Sequence, residues 1–87
     1  MGKILMRREC VEELINGNRE IEFRYQGKRY SITYFEKDSK HCVSFCEFFK
    51  EPIEFVECPY DVLDAKIGNK TLEQIFAKLP DSAFNIY

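Results

Sequence analysis

The sequence predicts one α+β domain over residues 1–87, with an N-terminal helix, a three-stranded antiparallel β-meander and two short C-terminal helices on one sheet face. Residues 19–35 alternate between apolar and polar side chains on both sides of a Gln-Gly pair, which is the pattern of a β-hairpin. Apolar residues at helical spacing occur before and after this hairpin. At 87 residues, the chain is too short to give a second domain a core of its own.

The N-terminal helix is predicted over residues 6–16. Three apolar residues lie there at positions i, i+3 and i+4 and form one stripe: Val11, Leu14 and Ile15. Gly17 follows the stripe and is predicted to be the C-cap. Because only Asn18 separates this cap from the hairpin, we expect the helix to fold back across the sheet.

The hairpin is predicted to run from Arg19 to Phe35. Its turn lies at Gln26 and Gly27, because glycine adopts positive φ angles without a Cβ clash. One face of the two strands is apolar and is predicted to face the core: Ile21, Phe23, Tyr25, Tyr30, Ile32 and Tyr34.

The third strand is predicted from Cys42 to Phe48, after a polar loop at residues 36–41. Apolar residues occur on both faces of this strand. Either both faces are covered or a bulge near Glu47 resets the register. Residues 49–58 are predicted to form a loop or a short edge segment.

Two short helices are predicted in the last third of the chain. The first helix begins at Pro59 and is ended by Gly68 and Asn69. Its apolar stripe is Val62, Leu63 and Ile67. Thr71 and Gln74 fit a capping box at the start of the second helix, and Pro80 ends it.

Two segments are candidate protein-binding surfaces. Residues 47–64 carry a single lysine, Lys50, among six acidic residues: Glu47, Glu51, Glu54, Glu57, Asp61 and Asp64. Such a cluster repels phosphates and attracts a basic partner protein, although it is also typical of a solvated loop and helix face. The C-terminal tail contains three apolar residues, which either pack back as a short strand or dock on a partner: Phe84, Ile86 and Tyr87.

A third candidate surface would bind an anion at the end of the hairpin. Arg24, Lys28, Arg29 and Tyr30 place positive charge and an aromatic ring together there. The alternative function that they indicate is an oligomeric protein, at least a homodimer, that sequesters a nucleotide. We do not expect nucleic acid to be the partner, because the sequence pI is near 5.4.

Catalytic and metal sites are not predicted. Cys42 and Cys46 would lie roughly 13 Å apart on a strand, too far to share one zinc ion with His41 or Cys58. Neighbouring strand residues point to opposite faces, so His41 cannot activate the Cys42 thiol. The sequence also contains no phosphate loop, dinucleotide fingerprint or nucleophile elbow, so we expect no enzyme and no cofactor. The cysteines are expected to be reduced and largely buried.

The sequence also predicts the compartment. Residues 1–9 contain no apolar core of signal-peptide length, and no stretch has the length of a membrane span. We therefore expect a cytoplasmic protein without a membrane partner.

Three stretches of the sequence, at residues 20–32, 44–48 and 66–72, resemble small uncharacterised proteins encoded by phages and prophages of Firmicutes. The resemblance covers most of the chain and contains no catalytic motif. It implies an accessory factor that blocks a host defence protein, as anti-CRISPR proteins and inhibitors of nucleotide-signalling immunity do. The bacterial host cell would then be its place of action.

Overall fold

The computed structural model describes residues 7–56 and 58–87, which form an N-terminal helix and a five-stranded antiparallel sheet. The helices are α1 (Arg8–Asn16) and α2 (Leu72–Phe76), and two 3₁₀ helices cover Pro59–Asp64 and Asp81–Ala83. The strands are β1 (Ile21–Tyr25), β2 (Lys28–Lys37), β3 (Lys40–Glu47), β4 (Ile53–Phe55), β5 (Lys66–Ile67), β6 (Lys70–Thr71) and β7 (Phe84–Ile86). The order in the sheet is β4-β3-β2-β1-β7, and β5 and β6 form a separate hairpin. The α+β prediction is confirmed, but the sheet has two more strands than predicted.

Helix α1 buries Val11 and Ile15 of its predicted stripe, half-buries Leu14, and ends in a Schellman motif. The amide of Arg19 donates to the carbonyl of Leu14 at 2.9 Å, and the amide of Asn18 donates to that of Ile15 at 3.1 Å. Asn18 takes the left-handed φ of 56°, whereas Gly17 has an ordinary φ of −89°. Gly17 is the C-cap, as predicted, and the left-handed residue is Asn18, one position later. Residue 6, the predicted start, lies outside the described residues.

The predicted hairpin is confirmed as β1 and β2. Gln26 and Gly27 have φ angles of 52° and 76°, so both central residues of the turn are left-handed, as a type I′ turn requires. The register pairs Phe23 with Tyr30 and Ile21 with Ile32 across the two strands. This register places the predicted apolar residues on one face.

The connection between β2 and β3 is much shorter than the predicted loop at residues 36–41. The strands continue to Lys37 and Lys40, and only Asp38 and Ser39 form the turn, with φ angles of 53° and 63°. The pairing is one to one from this turn to Tyr30 and Glu47. The bulge proposed near Glu47 is therefore wrong, and the predicted loop residues other than Asp38 and Ser39 are paired strand residues.

The sheet gains its extra strands at the two edges. Strand β4 pairs with β3, which confirms the short edge segment predicted within residues 49–58. Strand β7 pairs with β1, and the amide of Tyr87 donates to the carbonyl of Glu20 at 2.9 Å. Of the two alternatives left open for the C-terminal tail, packing back as a short strand is the one observed.

The region after Pro59 differs from the predicted pair of helices. A 3₁₀ helix replaces the first one, and Ile67 lies in the β5–β6 hairpin, where Gly68 has a φ of 67°. The capping box is confirmed: the amide of Gln74 donates to Thr71 Oγ1 at 3.2 Å, and the amide of Thr71 donates to Gln74 Oε1 at 2.9 Å. Helix α2 ends at Phe76, earlier than expected.

The core lies between one face of the sheet and the helices. Buried residues of α1, α2 and the first 3₁₀ helix contact it: Val11, Ile15, Val62, Leu63, Leu72, Ile75 and Phe76. Phe23 stands at its centre, stacked on Tyr30 with the ring centroids 5.1 Å apart and edge-on to Phe76 at 4.8 Å. No helix of the described residues has the length and the apolar character that crossing a bilayer requires.

Candidate functional site

The loop between β3 and β4 presents an aromatic side chain to solvent. Phe49 is 100% exposed, and Ile53 at the start of β4 is 52% exposed. The φ angle of Phe49 is 69°, a left-handed conformation that is a genuine outlier for so bulky a residue. Backbone strain of this kind concentrates at functional sites.

Contacts on both sides of Phe49 hold the loop in place. The amide of Phe48 donates to the carbonyl of Arg29 at 2.9 Å, and the amide of Lys50 donates to that of Glu47 at 3.0 Å. The Arg29 guanidinium lies over the Phe48 ring, 4.4 Å from its centroid. Phe49 therefore projects from a fixed support.

The predicted acidic residues divide into exposed and paired groups. Glu51 and Glu54 are exposed and lie within five residues of Phe49 in the chain, with Glu54 on the sheet face opposite that of Ile53. Asp61 is exposed on the 3₁₀ helix that packs against β3 and β4. Asp64 forms an ion pair with Arg8 at 3.3 Å. Glu57 lies outside the described residues.

Glu47 faces inward from the end of β3. It is half-buried beside Tyr30, whose pKa is raised by burial and by the negative charge of Glu47. None of the ion pairs between residues of the described part of the chain includes Glu47. A cavity of about 200 Å³ contains Glu47 and Glu51 together with Lys50 and Lys66. Two lysines therefore accompany Glu47 and Glu51 at this cavity, and Glu54 and Asp61 are exposed carboxylates outside it.

The predicted tail surface is separate from this acidic region. Strands β4 and β7 are the opposite edges of the sheet. Phe84 and Ile86 are half-buried, and the Phe84 ring lies 5.1 Å from that of Phe76. Tyr87 is 60% exposed, and its carbonyl accepts a hydrogen bond from Arg19 Nε. The two predicted protein-binding segments are not brought together.

The predicted anion site is divided between two faces of the hairpin. Arg24 and Arg29 are directly opposite each other in the register and are exposed, and Lys28 is exposed at the turn. Tyr30 is only 4% exposed and lies on the core face, stacked on Phe45 at 5.9 Å. Period-2 alternation in the sequence could already have separated Tyr30 from Arg29.

The side chains considered for catalysis and metal binding have structural contacts. His41 is an exposed strand residue, not a loop residue, with Nε2 3.2 Å from the carbonyl oxygen of Ile15 and its ring stacked on Tyr34. All four cysteines are free; Cys42 is buried, whereas Cys58 is exposed. In residues 7–56 and 58–87, no three or more His, Cys, Asp or Glu side chains are grouped as metal binding requires.

Comparisons with models of known protein families, with curated proteins and with solved structures found no match for this chain. Sequence reasoning did not single out Phe49. Adjacent phenylalanines at positions 48 and 49 predict burial for both. The only signal in the sequence is that strand alternation would point the two rings in opposite directions.

Proposed function

We propose that this protein is a non-enzymatic protein-binding module, encoded by a phage or prophage of Firmicutes, that inhibits a host defence protein in the bacterial cytoplasm. Its docking surface consists of Phe49, Glu51, Ile53, Glu54 and Asp61. The observation that carries the proposal is the complete exposure of the Phe49 side chain in a segment of the chain that also carries the exposed carboxylates of Glu51, Glu54 and Asp61.

Phe49 is the apolar anchor of the docking surface. Transfer of a phenylalanine side chain from water into a binding pocket contributes about 1.5–3 kcal/mol. A few anchors of this kind at the centre of an interface supply most of its affinity. Because the neighbouring backbone hydrogen bonds already fix the loop, little conformational entropy is lost when the ring is bound.

The carboxylates around Phe49 determine the kind of partner. Glu51, Glu54 and Asp61 are exposed and take part in none of the ion pairs described for residues 7–56 and 58–87. A complementary surface would carry Lys and Arg side chains around an apolar pocket. Such charge complementarity accelerates association and makes it dependent on salt concentration.

The test compares three baits on lysates of Firmicutes bacteria: the wild type, Phe49→Ala and the triple variant E51K/E54K/D61K. The matched control is E9K/E13K/E36K, which reverses three exposed carboxylates elsewhere and changes the net charge equally. Quantitative mass spectrometry should find a basic protein retained by the wild type and the control. Its recovery should fall about tenfold or more with the other two variants.

Two outcomes would contradict the proposal. One is equal loss of the captured protein with the control variant, which would indicate a general charge effect. The other is full retention by Phe49→Ala. Inhibition is measured separately, as the activity of the captured protein with and without the purified chain.

A further inference from the structure

We propose a second site, independent of the docking surface, that binds a phosphate monoester group through Arg24, Arg29 and Asn85. It lies on the sheet face opposite the core. The placement of two arginines at directly opposed positions of β1 and β2, beside a small cavity, carries this inference.

The two arginines are an unfavourable pair unless something lies between them. Like charges directly opposite on one face of an antiparallel pair destabilise a sheet. In the described part of the chain, no ion pair involves Arg24, and Arg29 has only Glu22, at 3.6 Å. A shared anion would compensate the repulsion that the register imposes.

Each guanidinium is nevertheless oriented by the protein. Arg24 Nη2 donates to the carbonyl of Ser82 at 2.8 Å, and the Arg29 guanidinium lies over the Phe48 ring. These contacts leave further N–H groups on both side chains. The two contacts lie on opposite sides of the β1–β2 pair, since Ser82 precedes β7 and Phe48 follows β3. The planar fork of arginine matches two oxygens of a phosphate, so the remaining N–H groups of both side chains can donate to one phosphate in the cavity that both residues line.

A cavity of about 200 Å³ lies at this position, lined by Glu22, Phe23, Arg24, Arg29 and Asn85. Asn85 stands opposite Glu22 in the register and adds an exposed amide that can donate hydrogen bonds. The volume is below the roughly 300 Å³ at which sites that enclose drug-sized ligands begin. It therefore suits the phosphate group, with the rest of the ligand in solvent.

The charge of the protein selects a small ligand over a nucleic acid. The net charge is −2, and the carboxylate of Glu22 lies inside the site. A polyanion would be repelled by the net negative charge of the protein along its length, and by Glu22 at the site itself. A single dianionic phosphate gains most from the two guanidinium groups and contacts little else.

The test is a titration of the ¹⁵N-labelled protein at constant ionic strength, followed by NMR of the Arg side chains and the Asn85 amide. The probes are inorganic phosphate, a nucleoside 5′-monophosphate and an oligonucleotide without a terminal phosphate. Saturable shifts are expected with the first two probes, and only the general effect of salt with the third. Saturation by the oligonucleotide alone would overturn the inference.

Variants locate the site. Arg24→Gln and Arg29→Gln should each weaken phosphate binding, whereas the matched pair Lys37→Gln and Lys70→Gln, at exposed positions elsewhere, should not. Glu22→Gln removes the competing carboxylate and should strengthen binding by about two- to fivefold. Unchanged affinity in Arg24→Gln and Arg29→Gln, or weaker binding in Glu22→Gln, would contradict the site. Phe49→Ala should bind phosphate normally, which separates this test from that of the docking surface.

Discussion

Arg8 and Glu73 form a bidentate ion pair between α1 and α2. Arg8 Nη2 and Nε donate to the two oxygens of the Glu73 carboxylate at 3.0 and 3.2 Å. This hydrogen bonding raises the pKa of Arg8. Asp64 lies 3.3 Å from the same guanidinium. One side chain therefore joins α1, the first 3₁₀ helix and α2 at the rim of the core.

The Arg8–Glu73 pair should contribute measurably to stability. Glu73→Gln is expected to lower the free energy of unfolding by about 1 kcal/mol, because it removes a charge-assisted bidentate contact. The control is Glu12→Gln, which removes a longer i,i+4 contact of 3.8 Å with the same arginine and should cost about 0.3 kcal/mol. Urea unfolding measures both values. Equal effects, or no coupling between Arg8→Gln and Glu73→Gln in a double-mutant cycle, would contradict this role.

The hairpin turn requires glycine at position 27 for its backbone angle alone. A Cβ at Gly27 would meet no atom within 4 Å, but the φ angle is +76°. Gly27→Ala should therefore cost about 1 kcal/mol of unfolding free energy. Gly17→Ala is the control, since its φ of −89° suits alanine and its Cβ would lie in contact range at 3.4 Å. Thermal unfolding that gave both variants the same loss of stability would contradict the role of the φ angle at position 27.

Tyr34 should make stability depend on pH in the alkaline range. Burial, with a smaller effect of Glu20, raises the pKa of Tyr34 to about 12, and its hydroxyl donates to the carbonyl of Arg19 at 2.7 Å. The unfolded chain releases this proton near pH 10. The stabilisation is complete below about pH 10 and is lost as the pH rises towards about 12.

Tyr34→Phe should flatten this alkaline slope. Because solvent screens the half-buried Tyr34 hydroxyl, the unfolding free energy of the wild type should fall by only about 1 kcal/mol between about pH 10 and about pH 12 on its account. Urea unfolding at several pH values measures this change. The difference in unfolding free energy between the wild type and Tyr34→Phe at pH 8 is the internal reference. The same slope for the variant and the wild type would contradict the assignment.

Local patterns in the sequence predicted the elements that local chemistry determines. The alternation around Gly27 fixed the first hairpin, and the Thr71–Gln74 capping box fixed the start of α2. These signals act within a few residues of the chain, so tertiary contacts did not need to be known. The tail strand was also anticipated, because apolar residues near a chain end favour packing.

The predictions were wrong where one local sequence pattern is compatible with two different structures. Polar residues around Asp38 and Ser39 are typical of a loop, yet paired strands reach this turn from both sides. Val62, Leu63 and Ile67 match helical spacing by coincidence, because Ile67 belongs to a different element. For the candidate site, composition indicated the acidic residues, but strand alternation was only a weak signal for Phe49, and nothing in the sequence indicated its left-handed φ angle of 69°.

The docking surface is tested most directly by a photo-reactive benzoylphenylalanine at position 49 of the chain, expressed in a Firmicutes host. Irradiation should join it to one basic host protein, and E51K/E54K/D61K in the same chain should abolish the product. The same probe at position 36, exposed at the far end of β2, should not give this product. Identical products from both positions, or a product from position 49 that survives the charge reversal, would contradict binding through Phe49 and its carboxylates.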